Sequence, residues 1–332
     1  MTNEFKSDAK EILEHIKNLQ QASWLDNSRS WWPKFIYHFT NLDNAISIFK
    51  KGAFYSRAYL EEKGEMITDN ASCEVIDQTE RQWKEYVRLY FRPRTPTQYR
   101  NEGFRPKSQR QLNAHCPFPI YFLFDPKKLL IRKNVFFSDG SLAAAGAFVS
   151  GEANFFKNIP FELVYHNSYI MPGDTRKIVY HRHAEVIVKD TLDFDCLNYI
   201  WCRSEAEYRT LLYLLPSKIK KQFKNKIGSG QKGNFFERKW IFVEEVDMNT
   251  DKIVFKINKP IVNCDPFHIK CEIKEKLTGR TFAWENNKYS IDNYLELSLA
   301  KLKRPEFYEA KLFFDEQLMF CDSYTKEIEV PF

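Results

Sequence analysis

Glycine is scarce in this chain of 332 residues, at 11, and follows no tripeptide period, which excludes collagen-like and Gly/Ser low-complexity material. No apolar run approaches the roughly 20 residues that span a bilayer, and the opening MTNEFKSDAK lacks the apolar stretch of a secretory leader. Neither a membrane association nor a signal peptide is expected. The seven cysteines, at 73, 116, 196, 202, 264, 271 and 321, are odd in number, dispersed, and form no CxxC pair. A disulfide framework would show an even, dense set in a short secreted chain, so reduced thiols in a cytoplasmic protein are expected. Aromatics are abundant: 29 Phe, 17 Tyr and 7 Trp are incompatible with a largely disordered chain. The length suffices for one large or two ordinary domains. The balance is basic, 50 Lys+Arg against 44 Asp+Glu for a net +6, so what matters is where the excess lies.

Along the chain, residues 4 to 20 read as an amphipathic helix, with Phe5, Ala9, Ile12, Ile16 and Leu19 at helical spacing. PKFIYHFT (33 to 40) reads as a strand, followed by a helix capped by Thr40 or Asn41 and closed by Gly52. YVRLYF (86 to 91), PIYFLF and NVFFSD read as strands, and SLAAAGAFVSGEANFFKN as a helix interrupted near Gly151. RKIVYHRHAEVIVKD alternates like a central strand, and EAEYRTLLYLL is a short helix. Residues 217 to 239 then carry Lys218, Lys220, Lys221, Lys224, Lys226, Lys232, Arg238 and Lys239 against the single acid Glu237. This stretch includes GSGQKG, which marks a flexible domain boundary between a unit over 1–228 and another over 236–332. The second unit consists of short alternating runs, KWIFVEEV, KIVFKIN, FHIKCEI, YLELSL, AKLFF and EIEVPF, which predict a small antiparallel sheet or sandwich.

Three segments can carry chemistry. In IYHFTNLDNA, strand alternation puts His38 and Thr40 on one face, where an imidazole and a hydroxyl beside a helix N-terminus could cradle a ribose and phosphate; a core histidine bonded to a carbonyl is the plainer alternative. Between Arg88 and Arg110, Arg88, Arg92, Arg94, Arg100, Arg105, Lys107 and Arg110 face one acid, Glu102, and interleave with Tyr90, Phe91, Tyr99 and Phe104. Guanidinium groups pair with phosphates and aromatic faces stack on bases, although a solvated charged face would read the same way. In HRHAEVIVK, Glu185 is a carboxylate within an apolar strand, where burial is costly unless the charge is paired or used; a solvent-facing Glu on an edge strand is the alternative. His181 and His183 form an HxH pair without a third ligand at metal spacing, so no metal is expected.

Taken in order, these segments resemble the DarT family of nucleic-acid-modifying ADP-ribosyltransferase toxins. HFTNLDNAISIFKKG matches the family's opening strand, His-x-Thr and helix; YVRLYFRPRTPTQY matches its YVPFYFxPRSPMLY-like segment; FSDGSLAAAG matches a TDGHA-like turn; and AEVIV matches the strand bearing the catalytic glutamate. The resemblance runs from about residue 33 to about 215. It implies an α+β, ADP-ribosyltransferase-type split-sheet fold that clamps NAD, with an additional β-rich domain at the C-terminus. It also implies that His38, Thr40, Asn44, Tyr90 and Arg94 line the NAD site and that Glu185 is catalytic. Arg81, in IDQTERQW, is the candidate for an arginine that the family uses upstream of its YVPFYF segment. Ser141 stands where the family has His, and Thr97 where it has Met, which leaves the acceptor base open.

The expected activity is transfer of ADP-ribose from NAD, as co-substrate, to a base in single-stranded DNA or RNA, by a toxin that a neutralising antitoxin protein would restrain. Cleaving the nicotinamide–ribose bond develops positive charge at the sugar carbon, which a carboxylate stabilises. The rivals are a non-catalytic nucleic-acid-binding module and an ADP-ribosyltransferase acting on protein.

Overall fold

The computed structural model describes residues 4–65, 80–110, 115–144 and 146–326. Its first part is built on ten strands: β1 (Ile36–Asn41), β2 (Phe54–Tyr55), β3 (Tyr86–Tyr90), β4 (Pro119–Phe124), β5 (Val135–Ser138), β6 (Val149–Ser150), β7 (Glu185–Lys189), β8 (Thr191–Leu192), β9 (Leu197–Cys202) and β10 (Ile227–Ser229). Eight of them form one sheet in the order β10-β9-β4-β1-β3-β7-β5-β6, antiparallel except for the β10/β9 pair. β2 and β8 pair separately.

The PIYFLF run is apolar throughout because both faces of β4 are covered. Ile120, Phe122 and Phe124 enter the main core with Ile36, Val87, Leu89, Val186 and Val188. Tyr121 and Leu123 join Phe35, Tyr37, Phe235 and Phe236 in a second cluster on the other side. The N-terminal helix, Ala9–Gln20, buries Ile12, Ile16 and Leu19 in the main core, as its spacing predicts. Ten residues starting at Leu42 form the next helix, which ends at Gly52 in the left-handed region.

Two sequence expectations change. The run RKIVYHRHAEVIVKD is not one strand: Thr175–His181 is helical and the strand begins at Glu185. A short apolar run does not distinguish the two periods. Here Tyr180 and His181 both bond back to Asp139, through the Tyr180 hydroxyl (2.8 Å) and through His181 Nδ1 donating to the Asp139 carbonyl (2.7 Å), which favours the helical turn. Residues 142–144, after Asp139, form a turn, and the helix is confined to Ala153–Asn158. Alanine propensity alone does not hold a short helix that has little to bury, and Phe148 in this stretch is exposed.

The Gly-rich stretch around 228–233 is built into the fold rather than hanging between units. β10 extends the sheet to Ser229, the Trp201 indole donates to the Gly230 carbonyl (3.0 Å), and Phe235 and Phe236 pack beneath Tyr37 and Tyr121. Beyond it, β11 (Val243–Met248), β12 (Lys252–Ile257), β13 (Phe267–Glu275), β14 (Thr281–Tyr289), β15 (Tyr294–Ser298), β16 (Phe307–Phe314) and β17 (Gln317–Thr325) form two antiparallel sheets, β11-β12-β15 and β14-β13-β16-β17. They share one core, with inward residues alternating on most strands, as in Phe267, Ile269, Cys271 and Ile273 of β13. The final EIEVPF run lies outside the described residues. Among the described residues no helix is long and apolar enough to cross a membrane.

Candidate active site

The site forms where β1 meets β3 and β3 meets β7. β1 pairs with β4 along six registered positions and β3 with β7 along five, whereas β1 and β3 share one, Tyr37 opposite Tyr90. Tyr90 in turn stands opposite Glu185, so Tyr37, Tyr90 and Glu185 project from the same face. Val87 and Leu89 point the other way into the core, which leaves Arg88 and Tyr90 on the Glu185 face.

Glu185 is 1% exposed, at the start of a strand held between β3 and β5. Its carboxylate is gripped by both arms of Arg88: Nε donates to Oε2 and Nη2 to Oε1, each at 2.5 Å. Such a fork is the strongest way to hold a carboxylate in place. Burial alone would lower the Arg88 guanidinium, but the Glu185 charge outweighs it and pushes the group above its ordinary value. Burial, followed by the same carboxylate, raises the Tyr90 phenol and keeps it protonated. The Glu185 amide donates to Ser138 Oγ (3.0 Å), and Ser138 Oγ donates to the Gly140 carbonyl (2.7 Å). The FSDG turn is therefore tied to the first residue of β7. Gly140 is required there, because a Cβ would fall 2.2 Å from the Tyr180 ring.

His38 reaches this group through the main chain. Its Nδ1 donates to the Arg88 carbonyl at 3.1 Å, which fixes the proton on Nδ1 and leaves Nε2 as an acceptor. The ring packs against Phe54 (5.0 Å) and Phe122 (6.2 Å), on the side of the sheet away from Tyr37. Burial lowers it to about 4, so it is neutral at physiological pH. Thr40 is buried two residues on, and Asn44 is half-buried in the first turn of the helix Leu42–Lys51. Arg94 has a left-handed backbone (φ 55°), and its Nη2 donates to Glu237 at 2.9 Å.

Arg81 stands exposed in the turn Arg81–Glu85, and the guanidinium at Glu185 belongs to Arg88. The alternation of YVRLYF already placed Arg88 with Tyr90. Pairing that strand with AEVIV makes Arg88 a diagonal neighbour of Glu185, a signal that the basic-aromatic composition of the segment concealed. The HxH imidazoles are committed within the protein: His181 to the Asp139 carbonyl, and His183 through Nδ1 to the Val179 carbonyl (3.0 Å) and through Nε2 to Thr97 Oγ1 (3.3 Å). No cluster of three or more His, Cys, Asp or Glu able to hold a metal occurs among the described residues.

A carboxylate pinned by a guanidinium beside a phenol suits group transfer at a sugar carbon, while His38 and Thr40, expected opposite it, lie on the other face of the sheet, from which His38 reaches it only through the Arg88 main chain. The family comparison makes this specific. The model of the family described as "ssDNA thymidine ADP-ribosyltransferase, DarT" matches residues 37–229, more than half of the chain. The chain belongs to the DarT family, and it is an ADP-ribosyltransferase. Among solved structures it is similar to Thermus sp. 2.9 DarT in complex with ADP-ribosylated ssDNA, at 16% identity and TM-score 0.49, over 61% of this chain and 96% of that one. The same Thermus protein in complex with NAD+ gives 17% identity and TM-score 0.45, over 61% and 98%. Thermosipho africanus DarTG in complex with ADP-ribose gives 18% and 0.46, over 65% of this chain and 53% of that chain. No curated protein matches the sequence.

Proposed function

We propose that this chain transfers ADP-ribose from NAD to thymidine in single-stranded DNA, with Glu185 as the catalytic carboxylate. The observation that carries the reading is the Glu185–Arg88 fork inside the family-matched region, on a strand otherwise buried among apolar side chains. A buried anion held this firmly is oriented before substrate arrives, so it stabilises positive charge developing at the ribose carbon with little reorganisation. It can also accept the proton that the attacking base releases.

NAD supplies the ADP-ribosyl group. The side chains assigned to it come from both faces of the sheet at the β1/β3 junction, with His38 and Thr40 on one and Tyr90 and Glu185 on the other. That junction is where a split sheet would open around a dinucleotide. The His38 Nε2 lone pair suits a ribose hydroxyl, and Thr40 and Asn44 flank it at the helix N-terminus. Tyr90 offers a phenol O–H beside Glu185. Arg94 is the cation for the pyrophosphate, with its side chain anchored by Glu237. In this reading Arg88, rather than Arg81, is the arginine of the site, where it positions Glu185.

The acceptor strand must be unpaired, because the target atoms of a base are out of reach inside a duplex. The family description favours thymidine in DNA over the purine or RNA acceptors that Ser141 and Thr97 leave open. Action as a toxin, restrained in the cytoplasm by an antitoxin protein, follows the same family reading.

The test is label transfer from NAD to separate DNA, RNA and protein acceptors. Single-stranded oligonucleotides containing thymidine should be labelled, and Glu185→Ala should abolish labelling while retaining the wild-type circular dichroism spectrum. Labelling that survives in that variant would refute the assignment. Labelling of RNA or protein alone would move the acceptor.

A further inference from the structure

A second cluster of cations and aromatics lies at the seam between the family-matched region and the β-rich part. The helix Pro96–Asn101 leads to it from the active site: Thr97 bonds His183, two residues before Glu185, and Tyr99 and Arg100 follow within the same turn. There a cleft of about 340 Å³ is lined by Tyr99, Arg100, Arg105, Gln109, Lys239 and Trp240. Lys239 and Trp240 lie beyond the residues matched by the family model.

The cleft is built rather than incidental. Phe104 and Ile241 form an antiparallel bridge, with the Phe104 amide donating to the Ile241 carbonyl at 3.0 Å. Gly103, at φ +91°, lets Trp240 approach, since a Cβ there would stand 2.7 Å from the Trp240 Cβ. Arg105 stacks over the Trp240 ring at 4.6 Å, and Lys239 Nζ lies 3.5 Å from the Tyr99 ring centre.

Two features point to an absent ligand. Arg100, Arg105 and Lys239 form no ion pair among the described residues, and no acid lines the cleft. Arg105 is 7% exposed, and its Nε, like the Trp240 indole N–H, is buried with no hydrogen-bond partner. Buried donors are ordinarily satisfied, whereas the Arg105 guanidinium forms no hydrogen bond or ion pair among the described residues. Gln109 is already engaged: its Nε2 donates to the Asn263 carbonyl and its Oε1 accepts from the Asp265 amide.

We propose that this cleft is a subsite for the single-stranded DNA that flanks the modified base, with Arg100, Arg105 and Lys239 taking backbone phosphate and the exposed Tyr99 ring stacking on a neighbouring base. The inference rests on the DNA-modifying reading above, and extends it to residues that the β-rich part supplies. Phosphate pairs with cations that no acid of the protein engages, and stacking on an aromatic accepts any base. One strand passing along the helix Pro96–Asn101 would meet Glu185 at one end and the cleft at the other.

The full-length chain is tested with Tyr99→Ala and with the double variant Arg100→Gln/Lys239→Gln, all on accessible or half-buried positions. Affinity for a fluorescent single-stranded oligonucleotide is measured by anisotropy across a salt series, and the rise in unfolding temperature with NAD is measured separately. Tyr99→Ala should weaken oligonucleotide binding by about tenfold. The charge variant should make the slope of log affinity against log salt shallower by about 1.4. The NAD-induced rise should be unchanged in both. Wild-type affinity and slope in both variants, or failure of the unaltered chain to bind the oligonucleotide, would overturn the subsite. Weakened binding without NAD-dependent labelling by the unaltered chain would retain the cleft and refute the transfer reading instead.

Discussion

Replacing Arg88 by Met should be far more damaging to the fold than replacing Glu185 by Gln, although both changes break the same pair. The reason lies in the two exposures: the Arg88 side chain is 27% exposed and that of Glu185 only 1%. Arg88→Met strands a carboxylate that water does not reach, which costs about 3–5 kcal/mol. Glu185→Gln leaves a guanidinium that is partly hydrated and can still meet one amide oxygen, at a cost of about 1–2 kcal/mol. The double variant Arg88→Met/Glu185→Leu should recover most of the loss, because an apolar pair of similar volume removes both desolvation penalties. Urea unfolding, followed by tryptophan fluorescence, gives the three differences. NAD-dependent labelling of DNA should be lost in all three variants. A Glu185→Gln cost equal to that of Arg88→Met, or a double variant that loses as much as Arg88→Met alone, would refute the view that Arg88 neutralises Glu185.

His38 and His115 are held neutral, lowered to about 4 and about 3, in both cases chiefly by burial, with Arg110 and Arg105 adding to the effect at His115. A histidine depressed in the fold contributes its full stability above its unfolded value of about 6.5 and loses it as pH falls towards the folded value. For His38 the window from 6.5 to about 4 corresponds to about 3 kcal/mol. His38→Asn should therefore reduce the slope of stability against pH between 6 and 5 by about one proton, and an unchanged slope would exclude the effect. Gly140→Ala places a methyl group 2.2 Å from the Tyr180 ring, whose hydroxyl is bonded to Asp139. It should cost about 1–3 kcal/mol, and Tyr180→Ala in the same chain should relieve it; absence of that rescue, read by thermal unfolding, would place the strain elsewhere.

The sequence was most legible where one period ran uninterrupted between clear stops. The β1 strand and the helix after it, the PIYFLF strand, and most of the C-terminal strands fall where alternation and caps put them. It was least legible where one run contained two structures. HRHAEVIVK combines the end of a helix with the start of a strand, and only the return bonds to Asp139 separate them. At the site, Glu185 stood out because a carboxylate among Ala, Val and Ile has to be explained. Arg88 did not stand out, because its segment is full of arginines and only strand pairing singles one out. Trp240 and Arg105 were hidden for a related reason: their partnership depends on a bridge between residues 104 and 241, which no local pattern encodes.

The composition shift near residue 217 marks a change of chain character but not a loose joint. Arg94, which carries the family's second segment, has its amide bonded to Gln98 Oε1 at 2.6 Å and its guanidinium bonded to Glu237. Gln98 in turn bonds Glu102 and the Phe235 carbonyl, while Glu102 accepts from the amides of Glu237 and Arg238. The helix Glu205–Leu214 is tied to the β-rich part by Arg209 to Asp322 (2.7 Å) and by Thr210 Oγ1, which accepts from the Cys321 amide (3.0 Å). Buried polar networks hold geometry only when most members are satisfied, so each of these bonds depends on the others. The left-handed turn at Arg94 costs about 1–3 kcal/mol by itself, and what offsets it comes from Glu237 and its neighbours, outside the family-matched core. If Arg94 binds the dinucleotide as proposed, Glu237 ties that role to the seam, so Glu237→Gln should weaken both NAD and oligonucleotide binding, whereas a change confined to the Lys239 side chain, which faces the cleft, should leave NAD binding intact.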